Sequence, residues 1–298
     1  MTETSHCTSE QLIAQGYDGP WPAPIKLNLF LHITGRRGDG YHDLQTLFQL
    51  LDYGDDLYFR LRPDAKIRRH GSTLPGLSPE NDLITRAARL LRKYGSPELG
   101  ADIYLVKRSP LGGGVGGGSS DAATTLLALN RLWNLNLPIE HLVQLATILG
   151  ADVPVFVCGH SAWAEGRGEV LHPATLPPRW YLVLTPDEHI STARLFAETD
   201  LKRDCPRLSL PVPDDDTPDD NVFTPLVLRQ SPAVRHAYEW LNQKGLSPRM
   251  TGTGSCIFSS FDSKSDAESI RSMLPPELNG FVARGLNVSP LLEKLDPK

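Results

Sequence analysis

The sequence predicts an α/β (α+β) protein of two domains, on three observations. Segments with the period of a strand alternate with segments of helical spacing through the first half. A glycine-rich loop joins one such strand to one such helix. The texture of the chain shifts near Ser161–Gly166, which divides it into 1–163 and 164–298. A length of 298 residues suits two domains of ordinary size.

The elements follow in chain order. In IKLNLFLHI (25–33), Ile25, Leu27, Leu29, Leu31 and Ile33 share one face and Lys26, Asn28, Phe30 and His32 the other, as in a strand. GRRGDGYH (35–42) is a glycine-punctuated turn that presents Tyr41 and His42, and Phe48 lies in the apolar run LFQLL. DLYFRLRP (56–63) and ADIYLVKRS (101–109) read as strands. Between them NDLITRAARLLRKYG (81–95) has helical spacing at Leu83, Ala87, Leu90 and Leu91 and stops at Gly95. After the glycine loop, Ala122, Leu126, Leu129 and Trp133 recur along one helical face. PIEHLVQLATILG (138–150) opens on Pro and closes on Gly, the usual asymmetry of a helix. The second half offers a strand at YLVLTP (181–186), a helix at AVRHAYEWLNQKG (233–245), then TGTGSCIFSSF (251–261) and a final helix and strand. The acidic run PDDDTPDDN (213–221) lacks the glycine and terminal Glu of a calcium loop and reads as a solvated loop.

Composition excludes several classes. Hydrophobic residues at 40% suffice for a core, and a formal charge of -5 with no basic stripe argues against nucleic acid as the partner. Cys7, Cys158, Cys205 and Cys256 are scattered with no metal-like spacing and read as free thiols. No apolar run approaches membrane-spanning length, and the first twenty residues carry Glu3, Glu10 and Asp18 without Lys or Arg, unlike a targeting peptide. The expectation is a cytoplasmic protein with a small-molecule partner, no nucleic acid and no membrane.

Three segments carry chemistry. GGGVGGGSS (112–120) follows a strand and opens a helix, so its backbone N–H groups and the helix dipole suit a phosphate. The plainer alternative is a flexible loop with Ser119 or Ser120 as helix cap, although a cap does not need six glycines. Three common phosphate loops fail. Gly118 stands where a Walker A loop needs Lys, no acidic residue follows at dinucleotide-fold spacing, and neither HRD nor DFG occurs. In the second segment Lys26 and Asn28 share a strand face, either as an edge guard or as a cation and an amide aimed at one ligand. In the third, GADVPVF (150–156), Asp152 stands at a corner between Gly150 and Pro154, with Val153 expected to be extended. Asp152 could equally be an N-cap.

PAPIKLNLFLHITGRRGDGYHDLQTLF (22–48), PLGGGVGGGSSDAATTLLALN (110–130) and MTGTGSCIF (250–258), in that order, resemble the three motifs of the GHMP small-molecule kinases over nearly the whole chain from Trp21 on. The resemblance implies two domains with the active site in the cleft between them, ATP as co-substrate, and Mg²⁺ carried on the ATP phosphates rather than on named protein ligands. Pro110, Leu111, Gly112, Gly113, Gly114, Val115, Gly116, Gly117, Gly118, Ser119 and Ser120 would cradle those phosphates. Lys26 and Asp152 would flank the acceptor hydroxyl, with Asp152 taking its proton and Asn28 close by. The details are nearest to a branch that phosphorylates a cytidine-diphosphate sugar alcohol in isoprenoid precursor synthesis. In that branch Tyr41, His42, Phe48 and Phe196 hold the cytidine end, and Thr251 and Gly252 support the loop and the substrate. Without the resemblance, Tyr41 and His42 read as surface residues and Phe48 as core. Asp82 and Asp121 stand where relatives usually or sometimes have Asn, and residues 1–20 lie outside the pattern. Two alternatives stand beside this: another small alcohol as acceptor, and a serine hydrolase using GHSAW (159–163), in which Trp163 replaces the glycine that a nucleophile elbow requires.

Overall fold

The structure is a computed structural model that describes residues 7–72, 78, 81–209, 218 and 220–296. After α1 (Ser9–Ala14), two long antiparallel strands, β1 (Asp18–Arg36) and β2 (His42–Arg62), run through most of the molecule. The turn between them is closed by Arg37 N–H donating to the Tyr41 carbonyl at 2.8 Å, with Gly40 in the left-handed region at φ 86°. The chain continues through β3 (Ile67–Gly71), α2 (Leu83–Arg92), β4 (Gly100–Val106), α3 (Gly117–Leu132), α4 (Ile139–Leu149), α5 (Val153–Cys158), β5 (Ala162–Gly166) and β6 (Val170–Pro173). Then come β7 (Trp180–Leu184), α6 (Thr192–Ala197), α7 (Thr224–Gln230), α8 (Pro232–Gln243), β8 (Arg249–Met250), β9 (Ile257–Phe261), α9 (Lys264–Arg271), β10 (Gly280–Leu286) and α10 (Pro290–Leu295).

The strands form one sheet in the order β3-β4-β2-β10-β7-β9-β8, with β1 and β5 also paired to β2 and β6 paired to β5. The seam is narrow. β10 meets β2 only at Gly285–Leu51 and Leu286–Leu50. On one side of it α2, α3, α4 and α5 pack over the sheet around Leu57, Phe59, Ile103, Leu126 and Val155. On the other, a second core gathers Leu182, Leu195, Phe223, Leu226, Val234 and Leu241. The chain end returns to the first core, where Leu291 of α10 is buried. The expected boundary at 163/164 falls inside β5, whose pairing with β2 and β6 runs across it.

Two expectations change. The single apolar face of residues 25–33 is broken by a register shift between Asn28 and Leu31. Before it, Ile25 and Leu27 are core while Lys26 and Asn28 face a cavity; after it, Leu31 faces that cavity and Phe30 packs on Leu47 and Trp163. α3 is buried on both sides, Leu127 and Ala128 included, because α2, α4, α5 and β1 surround it. The positions 213–217 and 219 of the acidic run lie outside the described residues, and Asp220 at its end bonds His32 at 2.6 Å. Among the described residues the four cysteines are unpaired and no helix is long and apolar enough to cross a membrane.

Candidate active site

The glycine loop begins where β4 leaves the sheet and ends as α3 begins. Gly112, Gly114 and Gly116 have φ of 67°, 75° and 72°, which explains glycine there on conformation alone. Gly116 is itself the N-cap and no side chain caps α3, so the alternative of Ser119 or Ser120 as cap fails; both lie within the first turn or so of the helix. A Cβ on Gly113 would stand 2.4 Å from Cys256 Sγ, on Gly114 2.3 Å from the Thr251 carbonyl, and on Gly117 2.2 Å from Ser109 Oγ. These glycines admit protein, not only ligand. Gly118 differs: the nearest atom to a Cβ there is Leu83 Cδ1 at 4.0 Å, and the residue is exposed. Residues Pro110–Ser119 line a cavity of about 760 Å³ that also takes in Asp82 and Lys107. Ser120 is fully buried, with an unpartnered Oγ.

Behind this loop lies a buried charge cluster that sequence reasoning missed. Pairing of Asp56 with Val106 sets Asp55 beside Lys107, and Lys107 Nζ reaches Asp55 at 2.7 Å and Asp121 at 2.8 Å. Asp55 also accepts from the backbone of Arg108 and Ser109 at 2.6 and 2.7 Å and from the Ser109 hydroxyl at 2.6 Å. Burial opposes its charge, but Lys107 and these donors outweigh burial and lower its pKa. Asp121 has only Lys107, its Oδ1 has no partner, and burial pushes it up to about 8. One ammonium between two carboxylates leaves the less solvated one protonated at neutral pH. Lys107 is raised, because Asp121 and Asp55 together overcome its burial.

On the other side of the loop stands Lys26, 2% exposed. Its backbone N–H donates to the Val115 carbonyl at 3.0 Å, tying β1 to the loop. Its ammonium donates to Asn28 Oδ1 at 2.6 Å and the Gly114 carbonyl at 2.9 Å, and lies 3.4 Å from Asp152 Oδ2. All three N–H donors are thereby aimed. Thr251 completes the frame: its hydroxyl accepts from Asn28 N–H at 3.0 Å and donates to the Gly114 carbonyl at 3.1 Å, while Gly252 packs against Gly114. Asp152 precedes α5 but makes no capping bond, so the capping alternative is set aside. Val153 is helical rather than extended, since Pro154 sits in the first turn, where its missing N–H costs nothing. The Asp152 side chain is 37% exposed, open to a second cavity of about 930 Å³.

That cavity collects the remaining expected residues. Lys26, Asn28, Tyr41, His42, Phe48, Asp152, Phe196 and Gly252 all line it. Phe48 is 2% exposed and forms its floor beneath the Lys26 ammonium, 5.3 Å from the ring centre. Tyr41 is 52% exposed, with the Arg167 guanidinium 3.9 Å above its ring. His42 stacks on Phe196 at 5.1 Å and 24°. Arg203, unforeseen from the sequence, donates to His42 Nε2 at 3.2 Å while bonding the carbonyls of Leu201, Phe196 and Glu198. A guanidinium only donates, so Nε2 is an acceptor and Nδ1 of the neutral ring carries the proton. Burial, Arg203 and Arg36 lower the pKa of His42, which keeps the ring neutral. The serine of GHSAW has no part in this. Ser161 Oγ is buried at the seam, accepting from Leu50 N–H at 2.9 Å and donating to the Leu286 carbonyl at 2.7 Å, so the hydrolase alternative fails on geometry.

The family models for the GHMP kinases N terminal domain and the GHMP kinases C terminal match residues 82–160 and 214–279. The chain is 51% identical over 273 residues to the 4-diphosphocytidyl-2-C-methyl-D-erythritol kinase of Thiobacillus denitrificans, covering 92% of this chain and 97% of that one. It is 50% identical to the enzyme of the same name from Shewanella piezotolerans, covering 92% and 96%. A crystal structure of 4-(cytidine 5'-diphospho)-2C-methyl-D-erythritol kinase superposes with a TM-score of 0.71 at 31% identity over 89% of this chain and 98% of that one. The mevalonate kinase of Methanococcus jannaschii shares the fold at TM-score 0.62 and 13% identity, covering 89% of this chain and 97% of that one.

Proposed function

Because this chain belongs to the 4-diphosphocytidyl-2-C-methyl-D-erythritol kinases, within the GHMP kinases, we propose that it transfers the γ-phosphoryl group of ATP to the 2-hydroxyl of 4-diphosphocytidyl-2-C-methyl-D-erythritol. The observation that carries this reading is the pairing of Lys26 and Asp152 at the cavity of about 930 Å³, with the cavity of about 760 Å³ on the other side of the glycine loop. ATP occupies the cavity of about 760 Å³, its phosphates over Gly118 and the start of α3. The acceptor occupies the other, its hydroxyl against Asp152 and its base against Tyr41, His42 and Phe196.

Phosphoryl transfer asks the protein mainly to position the partners in line and to neutralise charge. Asp152, unencumbered by a cap, accepts the hydroxyl proton. Lys26 already bonds Asn28 and Gly114 and holds Asp152 by its longest contact; that third N–H is the one free to turn to a phosphate oxygen. Mg²⁺ would neutralise charge on the ATP phosphates, and since the Asp121 carboxyl is buried, protonated and held by Lys107, the metal would be carried by those phosphates and water rather than by Asp121. His42 Nδ1–H offers a donor to the acceptor edge of cytosine, and the setting is cytoplasmic isoprenoid precursor synthesis.

The test is coupled ADP release with the cytidine-diphosphate methylerythritol substrate against galactose, homoserine and mevalonate. Turnover confined to the first supports the assignment; turnover of another alcohol in preference to it leaves a GHMP kinase with a different acceptor.

A further inference from the structure

The two cavities meet at Gly112, Gly114, Ser119 and His189, the residues that line both. Three of these belong to the glycine loop. His189 comes from the opposite wall, in the loop between β7 and α6, with its Nδ1 3.0 Å from where a Gly112 Cβ would stand. A phosphoryl group passing from one cavity to the other has to cross at this point.

Charge makes the position informative. The one Lys or Arg among the described residues of the nucleotide cavity is Lys107, and it is held between Asp55 and Asp121. The same cavity carries Asp82, paired with Arg69 at 2.7 Å, and Asp187 and Glu188. An acidic cavity is an unfavourable place for a triphosphate unless other groups supply positive charge. The start of α3 supplies part of it. His189 is exposed and makes no hydrogen bond or ion pair among the described residues, so its ring nitrogens are free for a ligand. Asp187 and Glu188 on its own loop, Asp82, Asp121 and Lys107 across the nucleotide cavity, and Lys26, Asp152, Arg36 and Arg167 of the other cavity are the charged groups of the two cavities that it lines.

We propose that His189 is a phosphate-binding residue: it takes up a proton when nucleotide enters and donates a charge-assisted hydrogen bond to the terminal phosphate of ATP at the crossing between the cavities. This rests on the kinase reading. A polyanion beside an imidazole favours the charged ring, and a bond from an ionised donor is about twice as strong as a neutral one.

The experiment combines NMR titration of the His189 ring with calorimetry, using a non-hydrolysable ATP analogue with Mg²⁺ and, separately, ADP. The analogue should raise the midpoint of the His189 titration. His189→Gln should bind it about tenfold more weakly at pH 6, with the gap narrowing by pH 9 as the parent ring loses its proton. ADP affinity should be nearly unchanged. His189→Lys should restore analogue affinity without that pH dependence. An unmoved His189 titration with normal analogue binding overturns the role given to His189 alone. Equal loss for ADP and analogue overturns the contact to the terminal phosphate. A parent chain that binds neither nucleotide overturns the kinase reading and this one with it.

Discussion

At residue scale, the glycine loop divides by what each missing Cβ would meet. Gly113, Gly114 and Gly117 face protein atoms at 2.2–2.4 Å, so a side chain there would disturb the fold before it touched a nucleotide. Gly118 faces open cavity. Gly118→Val is therefore expected to weaken ATP binding by tenfold or more, an order-of-magnitude figure, with a melting temperature close to the parent's; Gly117→Val should lower the melting temperature first. Calorimetry beside thermal unfolding separates the two, and an equal loss of fold in both variants would contradict the division. The Lys26–Asp152 pair gives a second expectation. Asp152→Asn keeps the shape and removes the proposed base, so kcat should fall by about 10²–10⁴ while KM for both substrates changes little. A variant with near-parental kcat would show that Asp152 serves only to orient Lys26.

Helix α3 and strands β2 and β4 together enclose the Asp55–Lys107–Asp121 cluster, and its proton belongs to that packing rather than to any one residue. Asp121 titrates near 4 in an unfolded chain, a value of about 3.9 for the free side chain, and at about 8 in the folded one. Between those values the folded state holds a proton that the unfolded state has released. The stability Asp121 confers is therefore complete below about 4 and is lost as pH rises through about 8. Asp121→Asn imitates the protonated form at every pH. Its melting temperature should exceed the parent's by a margin that grows from pH 6 to pH 9. Parallel profiles of melting temperature against pH would refute a protonated Asp121. The same element scale accounts for Arg203, which three backbone carbonyls around α6 hold in place to set which nitrogen of His42 is free.

Across the whole molecule, β10 joins β2 at only two paired positions, Gly285–Leu51 and Leu286–Leu50, and β1 is the other link, its Leu31 and Ile33 lying in the second core and its Leu31 bridged to Asn221. Side chains supply the missing bonds. Ser161 serves both the Leu50 N–H and the Leu286 carbonyl, and Gln49 Nε2 reaches the same carbonyl at 2.8 Å and Ser161 Oγ at 3.1 Å. Ser161→Ala leaves the Leu50 N–H buried without that partner and should cost about 1–3 kcal/mol in urea unfolding. Since Thr251 and His189 reach the glycine loop from beyond the seam, the variant should also raise KM for ATP. Parental stability and KM would mean that packing alone holds the halves in register.

Much of this was legible in the sequence because the signals are local. The strand character of residues 25–33, Pro138 and Gly150 around α4, the spacing of Leu83, Ala87, Leu90 and Leu91 in α2, and a glycine run between strand and helix act through neighbours in the chain, and the structure follows them. The motif order carried the family for the same reason. What the sequence could not state is which distant groups meet. The register shift after Asn28, the approach of Cys256 to the glycine loop, the sharing of Lys107 by two carboxylates and the arrival of His189 at the crossing between the cavities depend on packing between elements far apart in the chain. Residue type is set by the chain; charge state, free hydrogen-bonding atoms and open space are set by the neighbours that folding brings, and only the tertiary structure decided those.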